Sequence, residues 1–282
     1  MTDTAAHRAA VEAWRNQRYA ALRREIGWLT LAGLDWLKPG VNRIGTAPAS
    51  EIMLPSGPAE AGTVTLSDGG VLADGMRDGL TVDGQPVRDL QLVSDLAGDP
   101  TMLELGALRL CLIDRGGRRA IRTWDTAAPA RRAFDGIEHW PIDTIWRLES
   151  TFEPTPGRTV RVPDVLGLDE DDESPGDVVF EVAGVEHRLQ ALAGGDAGEL
   201  WLVFGDATNG QETYGGGRFL YTGAPDADGR VVVDFNRAYN PPCVFSPYAT
   251  CPLPWPANGL PIRVEAGERN WDHHPTPPRP PS

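Results

Sequence analysis

The sequence is poor in sulfur, in lysine and in long apolar runs. Only one of its 26 basic side chains is lysine, Lys38, which reads as coding bias and carries no mechanism. No apolar run approaches the ~20 residues that a membrane-spanning helix needs. The opening MTDTAAHRAAVEAWRNQ has no apolar core of the signal-peptide kind, so a cytoplasmic chain is expected. Basic charge is also short, with 26 Lys and Arg against 40 Asp and Glu and a formal net charge of −14. That balance argues against nucleic acid, whose phosphates are held by clustered Lys and Arg, and against a polybasic membrane anchor.

What is present is ordinary for a globular protein: 282 residues, 41% hydrophobic and 23% charged. At ~150 residues per domain, the length suggests two. Residues 1–125 carry 14 basic and 16 acidic side chains, whereas residues 126–282 carry 12 and 24. Asp169, Glu170, Asp171, Asp172 and Glu173 supply five of those acids. They lack the spaced oxygens and glycine of a calcium loop, and a solvated loop is expected.

Residues 4–24 have a helical pattern, with Val11, Trp14, Arg18 and Leu22 spaced to dock one face and Gly27 as the stop. Beyond it, short β-branched runs alternate with Gly and Pro, which total 57 residues. Expected strands include 62–66, 103–105, 108–113, 159–162, 178–182, 187–192, 200–204 and 231–235, with a hairpin turn at Asp83-Gly84. The predicted fold is mainly β: an amino-terminal helix (1–27), a β-sandwich (28–126), a second antiparallel barrel or sandwich (127–271), and a disordered Pro-rich tail (272–282) containing His273 and His274.

Gly40-Val41-Asn42-Arg43-Ile44-Gly45 followed by Ser50-Glu51-Ile52-Met53-Leu54 resembles the opening of forkhead-associated (FHA) phosphopeptide-binding domains. The resemblance implies a phosphate contact at Arg43. The Ser-x-x-His that follows in that family is absent here, which removes a hydroxyl donor and a loop brace, so a packing role is favoured over phosphopeptide binding.

The densest unusual composition lies between Asp206 and Glu268. Together with Trp28–Leu37 and the Asn42–Gly45 segment, the block from Tyr214 to Glu268 resembles a family catalogued as domain of unknown function 1684. That resemblance implies no activity. The residues themselves suggest one. Gly216 and Gly217, within three consecutive glycines, can bring backbone amides close to a ligand, and Arg218 beside them suits a carboxylate or phosphate. If the stretch is extended, Glu212, Tyr214, Gly216 and Arg218 share one face, and Asp234 and Asn236 share another. A pocket of this kind would use Glu212, Tyr214 and Asp234 for acid–base work, with Arg218, Asn236, Asn240, Gly216 and Gly217 binding. The competing reading is an Arg218–Asp234 ion pair in the core, with Asn240 as a turn former.

Cys243 and Cys251 lie among prolines. In a cytoplasmic chain a disulfide is disfavoured, and two buried thiols are expected; a zinc site with His187 or a cysteine nucleophile are the alternatives. Cys111 sits in an apolar strand and belongs to the core. His139, Trp140 and Trp146 pack modules together or wall a cleft. The expected function is binding of a small anionic metabolite in a polar pocket of the second β domain, with hydrolase- or isomerase-like chemistry as an option and no cofactor. A non-enzymatic interaction role for the FHA-like face is the alternative.

Overall fold

The computed structural model describes residues 3–76, 79–195 and 197–271; the Pro-rich tail with His273 and His274 lies outside them. The protein is mainly β and divides into two compact units. One is continuous, Ala21–Phe134; the other is discontinuous, joining Met1–Ala20 to Asp135–Ser282.

The continuous unit holds β1 (Leu31–Trp36), β2 (Gly40–Gly45), β3 (Ile52–Met53), β4 (Gly62–Ser67), β5 (Gly70–Gly75), β6 (Thr81–Val82), β7 (Gln85–Pro86), β8 (Leu90–Gln91), β9 (Leu103–Leu105), β10 (Leu108–Arg115) and β11 (Arg118–Asp125). Two sheets result, in the orders β1-β11-β10-β9-β6-β7 and β3-β2-β4-β5-β8. Alternating side chains such as Ile44, Val64, Val71, Leu110 and Ile121 fill the core. The expected turn is present: Asp83 and Gly84 both take positive φ, 50° and 74°, the geometry a two-residue hairpin requires. Burial pushes the Cys111 thiol up to about 11, as suits a core cysteine.

The discontinuous unit begins with helix α1 (Thr4–Leu22). The Asp3 carboxylate accepts from the amides of Ala5 and Ala6 and so caps its first turn. The helix stops at Leu22, earlier than the Gly27 that the sequence suggests. After residue 135 come β12 (Arg147–Pro163), β13 (Asp169–Val182), β14 (Val185–Ala193), β15 (Leu200–Phe204), β16 (Arg218–Thr222) and β17 (Arg230–Asp234). They form one antiparallel sheet, β16-β15-β14-β13-β12-β17, whose edge strands β16 and β17 curl back beside each other. Its core includes Phe180 and Phe204, whose rings lie 5.6 and 5.3 Å from that of Phe235 in edge-to-face contacts.

The acidic run corrects the sequence reading. Asp169–Glu173 is solvated, but it is strand: it pairs residue by residue with Thr159–Pro163, Asp171 opposite Arg161. Cross-strand backbone bonds, the Arg161–Asp169 ion pair at 2.9 Å and the burial of Val160 and Val162 on β12 sustain this end of the hairpin.

Candidate functional site

Residues 206–217 fold as turns, so Glu212, Tyr214 and Arg218 do not share the face of an extended strand. Asp206 organises these turns by accepting from the amide and hydroxyl of Thr208. Arg218 starts β16 and is wholly buried. One of its terminal nitrogens donates to Asp206 Oδ2 at 2.7 Å and to the Val264 carbonyl at 2.8 Å; the other donates to the carbonyls of Ala266 and Glu268. Burial lowers its pKa, and Asp206 opposes that. The expected partner Asp234 is therefore replaced by Asp206, and the guanidinium stitches residues 264–268 to the turns. In this structure it has no opening toward a ligand.

The remaining motif residues separate. Glu212 pairs with Arg263 at 2.6 Å on the surface. Tyr214 is half-buried, which raises its phenol, and its carbonyl accepts from the Gly217 amide. Gly216 and Gly217 line a groove of ≈ 560 Å³ with Leu253, Pro254 and Trp255. Gly217 has φ 84°, and a Cβ there would stand 2.4 Å from Pro254, so close packing is reason enough for the glycine. Asn240 donates to Glu268 Oε2 at 2.7 Å through its amide and to the Arg269 carbonyl through its side chain. Glu268 also receives Arg18 of α1 at 3.1 Å, and Arg18 lies over the Tyr239 ring. Asn240 thus belongs to the anchor of the helix.

Asp234 and Asn236 do remain together, at a second place. Asp234 ends β17 and caps the turn Phe235–Arg237, its Oδ1 accepting from the Asn236 amide and side chain. Asn236 is fixed in turn by the backbone of Asp143, through both its oxygen and its nitrogen. The other oxygen, Oδ2, meets His7 Nε2 of α1 at 2.9 Å and Arg237 Nε at 3.7 Å. These groups line a cavity of ≈ 650 Å³, together with Asp3, Arg147, Glu149, Tyr221 and Thr222. Arg147 stands opposite Asp234 in the β12–β17 register and pairs with Glu149 at 2.6 Å. The sequence reading missed His7, although it lies four residues before Val11 on the stripe that docks α1.

The zinc reading is overturned. Cys243 and Cys251 form a disulfide, and no cluster of three or more His, Cys, Asp or Glu capable of holding a metal occurs among the described residues. The pairing also corrects the expectation of two free thiols. Close approach decides it: the prolines around 241–254 fold the segment so that the two Cα atoms come within 6.2 Å, inside the range a disulfide spans. His187 is buried against Phe180 on β14, with ring centroids 5.9 Å apart. His139 lines a further cavity of ≈ 530 Å³ with Arg15 and Tyr19, its Nδ1 near the Tyr19 hydroxyl.

Comparison with known proteins adds the following. The solution NMR structure of an uncharacterized protein of Haloarcula marismortui is 30% identical, covering 51% of this chain and 82% of its own, with a TM-score of 0.43. No curated protein matches the chain. The family model described as protein of unknown function DUF1684 matches residues 132–269, a span that holds β12 to β17, the Gly-rich turns, Asp234 and Glu268 and leaves out α1. Over residues 132–269, therefore, the chain is similar to the DUF1684 family.

Proposed function

We propose that the discontinuous unit binds a small anionic molecule in the cavity lined by His7, Arg147, Asp234 and Arg237. The observation that carries this reading is Arg237. Its Nε is buried and makes no hydrogen bond, and the Asp234 carboxylate oxygen lies 3.7 Å away. A planar guanidinium with spare donors beside a cavity suits a carboxylate or an oxyanion. The anion-binding role that the sequence suggests for Arg218 falls instead to Arg237, helped by Arg147. Titration of the protein with sulfate and with succinate, followed by calorimetry and amide NMR, tests it. Saturable binding with shifts at residues 7, 147 and 237, lost in Arg237→Met at unchanged melting temperature, is expected. Shifts elsewhere, or none, overturn it.

Acid–base chemistry on the same ligand is a second reading. It is favoured by the histidine–carboxylate pair, whose Asp234 is oriented by Asn236. The FHA-like alternative has less support. Arg43 is exposed and already doubly bonded to Glu51, at 3.0 and 2.8 Å, leaving its fork engaged. No helix among the described residues is long and apolar enough to cross a membrane.

A further inference from the structure

The cavity beside Arg237 is far larger than a bare anion and is lined by groups of two kinds. At ≈ 650 Å³ it falls within the range of about 300–1,000 Å³ that encloses drug-sized molecules. Charged groups gather where Arg147 stands opposite Asp234 in the β12–β17 register, with Arg237 3.7 Å from Asp234 Oδ2. Apolar groups supply another part of the lining. Ala6 and Ala10, four residues apart, share one side of α1, and Val232 lines the cavity from β17. Tyr221 joins them from β16. Trp201 and Tyr239 hold its ring, their planes within 12° of its own at 6.0 and 6.2 Å, yet the residue is 46% exposed. A ring already fixed by its neighbours loses little freedom when a ligand covers it. Positive charge is limited. Asp3, Glu149 and Asp234 line the cavity against two arginines, and Arg147 is already paired with Glu149 at 2.6 Å. Arg237 is left to meet one anionic group, and a second would face carboxylates.

We infer that the ligand of this cavity is an amphipathic monoanion, with one carboxylate or similar group at Arg237 and an aliphatic or aromatic body covered by Ala6, Ala10, Tyr221 and Val232. The inference rests on the anion-binding role proposed above and names its ligand class. Each apolar carbon that leaves water for that part of the lining adds to binding. A ligand of the same length with a polar or charged far end must strip that end of water against methyl groups and an aromatic ring, which costs affinity. Alkanoic and aryl-alkanoic acids are the simplest members of the class.

Calorimetric titration of the full chain with acetate, butyrate, hexanoate and succinate, at constant pH and ionic strength, reads the class directly. Affinity should rise from acetate to hexanoate by up to about fourfold for each methylene covered. Butyrate should outbind succinate, which has the same four carbons but a second carboxylate in place of the methyl. Ala10→Glu, at an exposed helix position that accepts glutamate, should flatten the series. Intermolecular NOEs from the hexanoate methyl to the Tyr221 ring, expected in the unsubstituted protein, serve as the second measurement should that variant fold poorly. A flat series, succinate binding more tightly than butyrate, or NOEs that avoid Tyr221 overturns the ligand class while leaving the anion site standing. A rise undiminished in Arg237→Met overturns the anion-binding role itself. Absence of binding by every carboxylate removes both.

Discussion

The two units have apolar cores of the same kind but treat charge in opposite ways. In the continuous unit, Ile44, Val64, Leu110 and their neighbours pack as an apolar filling, and Arg122 is the single charged side chain buried among the described residues. The discontinuous unit encloses His7, Asp177, His187, Asp206, Arg218, Asp234 and Glu268 beneath its surface. Burying charge is costly unless it is paired, and apolar replacements of such pairs are often no less stable. A fold that keeps several of them in one unit and nearly none in the other shows where packing alone did not set the sequence. All three cavities described above belong to the unit that buries its charge.

The contrast can be tested by removing charge from each side. The largest effect is expected at Arg218→Met, which leaves Asp206 and the carbonyls of residues 264–268 buried without their donor. Roughly 3–5 kcal/mol of stability should be lost, read as a fall in melting temperature. The pair change Asp206→Leu with Arg218→Met should recover part of it; a single variant as stable as the parent would mean that this pair does not hold the turns. Next comes the disulfide. Replacing Cys243 and Cys251 by alanine frees a short loop and should cost roughly 2–3 kcal/mol, and a reducing agent should lower the parent's stability but leave the variant's unchanged. Such bridges belong to oxidising compartments, which sets this pairing against the cytoplasmic expectation.

Asp35 is the exception within the continuous unit. Its partial burial raises its carboxyl to about 6. The folded state therefore holds a proton that the unfolded state has already lost between pH ~4 and ~6, so stability falls as pH rises through that window. Asp35→Asn should flatten this slope and add roughly 2 kcal/mol above it; denaturant midpoints across pH 4–8 that still slope equally in the variant would assign the effect to other groups. Smallest of all is Arg43→Ala. Its pair with Glu51 lies at the surface, although it draws the Glu51 carboxyl down to about 2, and no measurable change in melting temperature is expected.

The parts legible in the sequence were those with local causes. Periodicity marked α1, the apolar run Leu200–Phe204 is β15 residue for residue, and Asp83-Gly84 makes its turn because few residues accept positive φ there. The acidic strand was hidden because Asp and Glu are poor strand formers, and only the length of its partner β12 reveals it. At the candidate site, Asp234 and Asn236 meet through the cap of the turn after β17 and not through the shared strand face that their spacing suggests. Arg218 drew notice as the arginine after the glycines, yet which carboxylate would reach it depends on a turn more than ten residues away that periodicity does not describe. His7 was out of reach for the same reason, since its partner lies 227 positions along the chain.

That separation has a consequence for synthesis. Helix α1 leaves the ribosome well before Asp234 and Glu268, which receive His7 and Arg18. At about 5–20 residues per second the helix waits roughly ten to fifty seconds for them, while the continuous unit has all its strands at hand. During that interval Val11, Trp14 and Leu22 form an uncovered apolar stripe on the nascent chain. Any factor that shields such stripes would find its target here before the cavity exists.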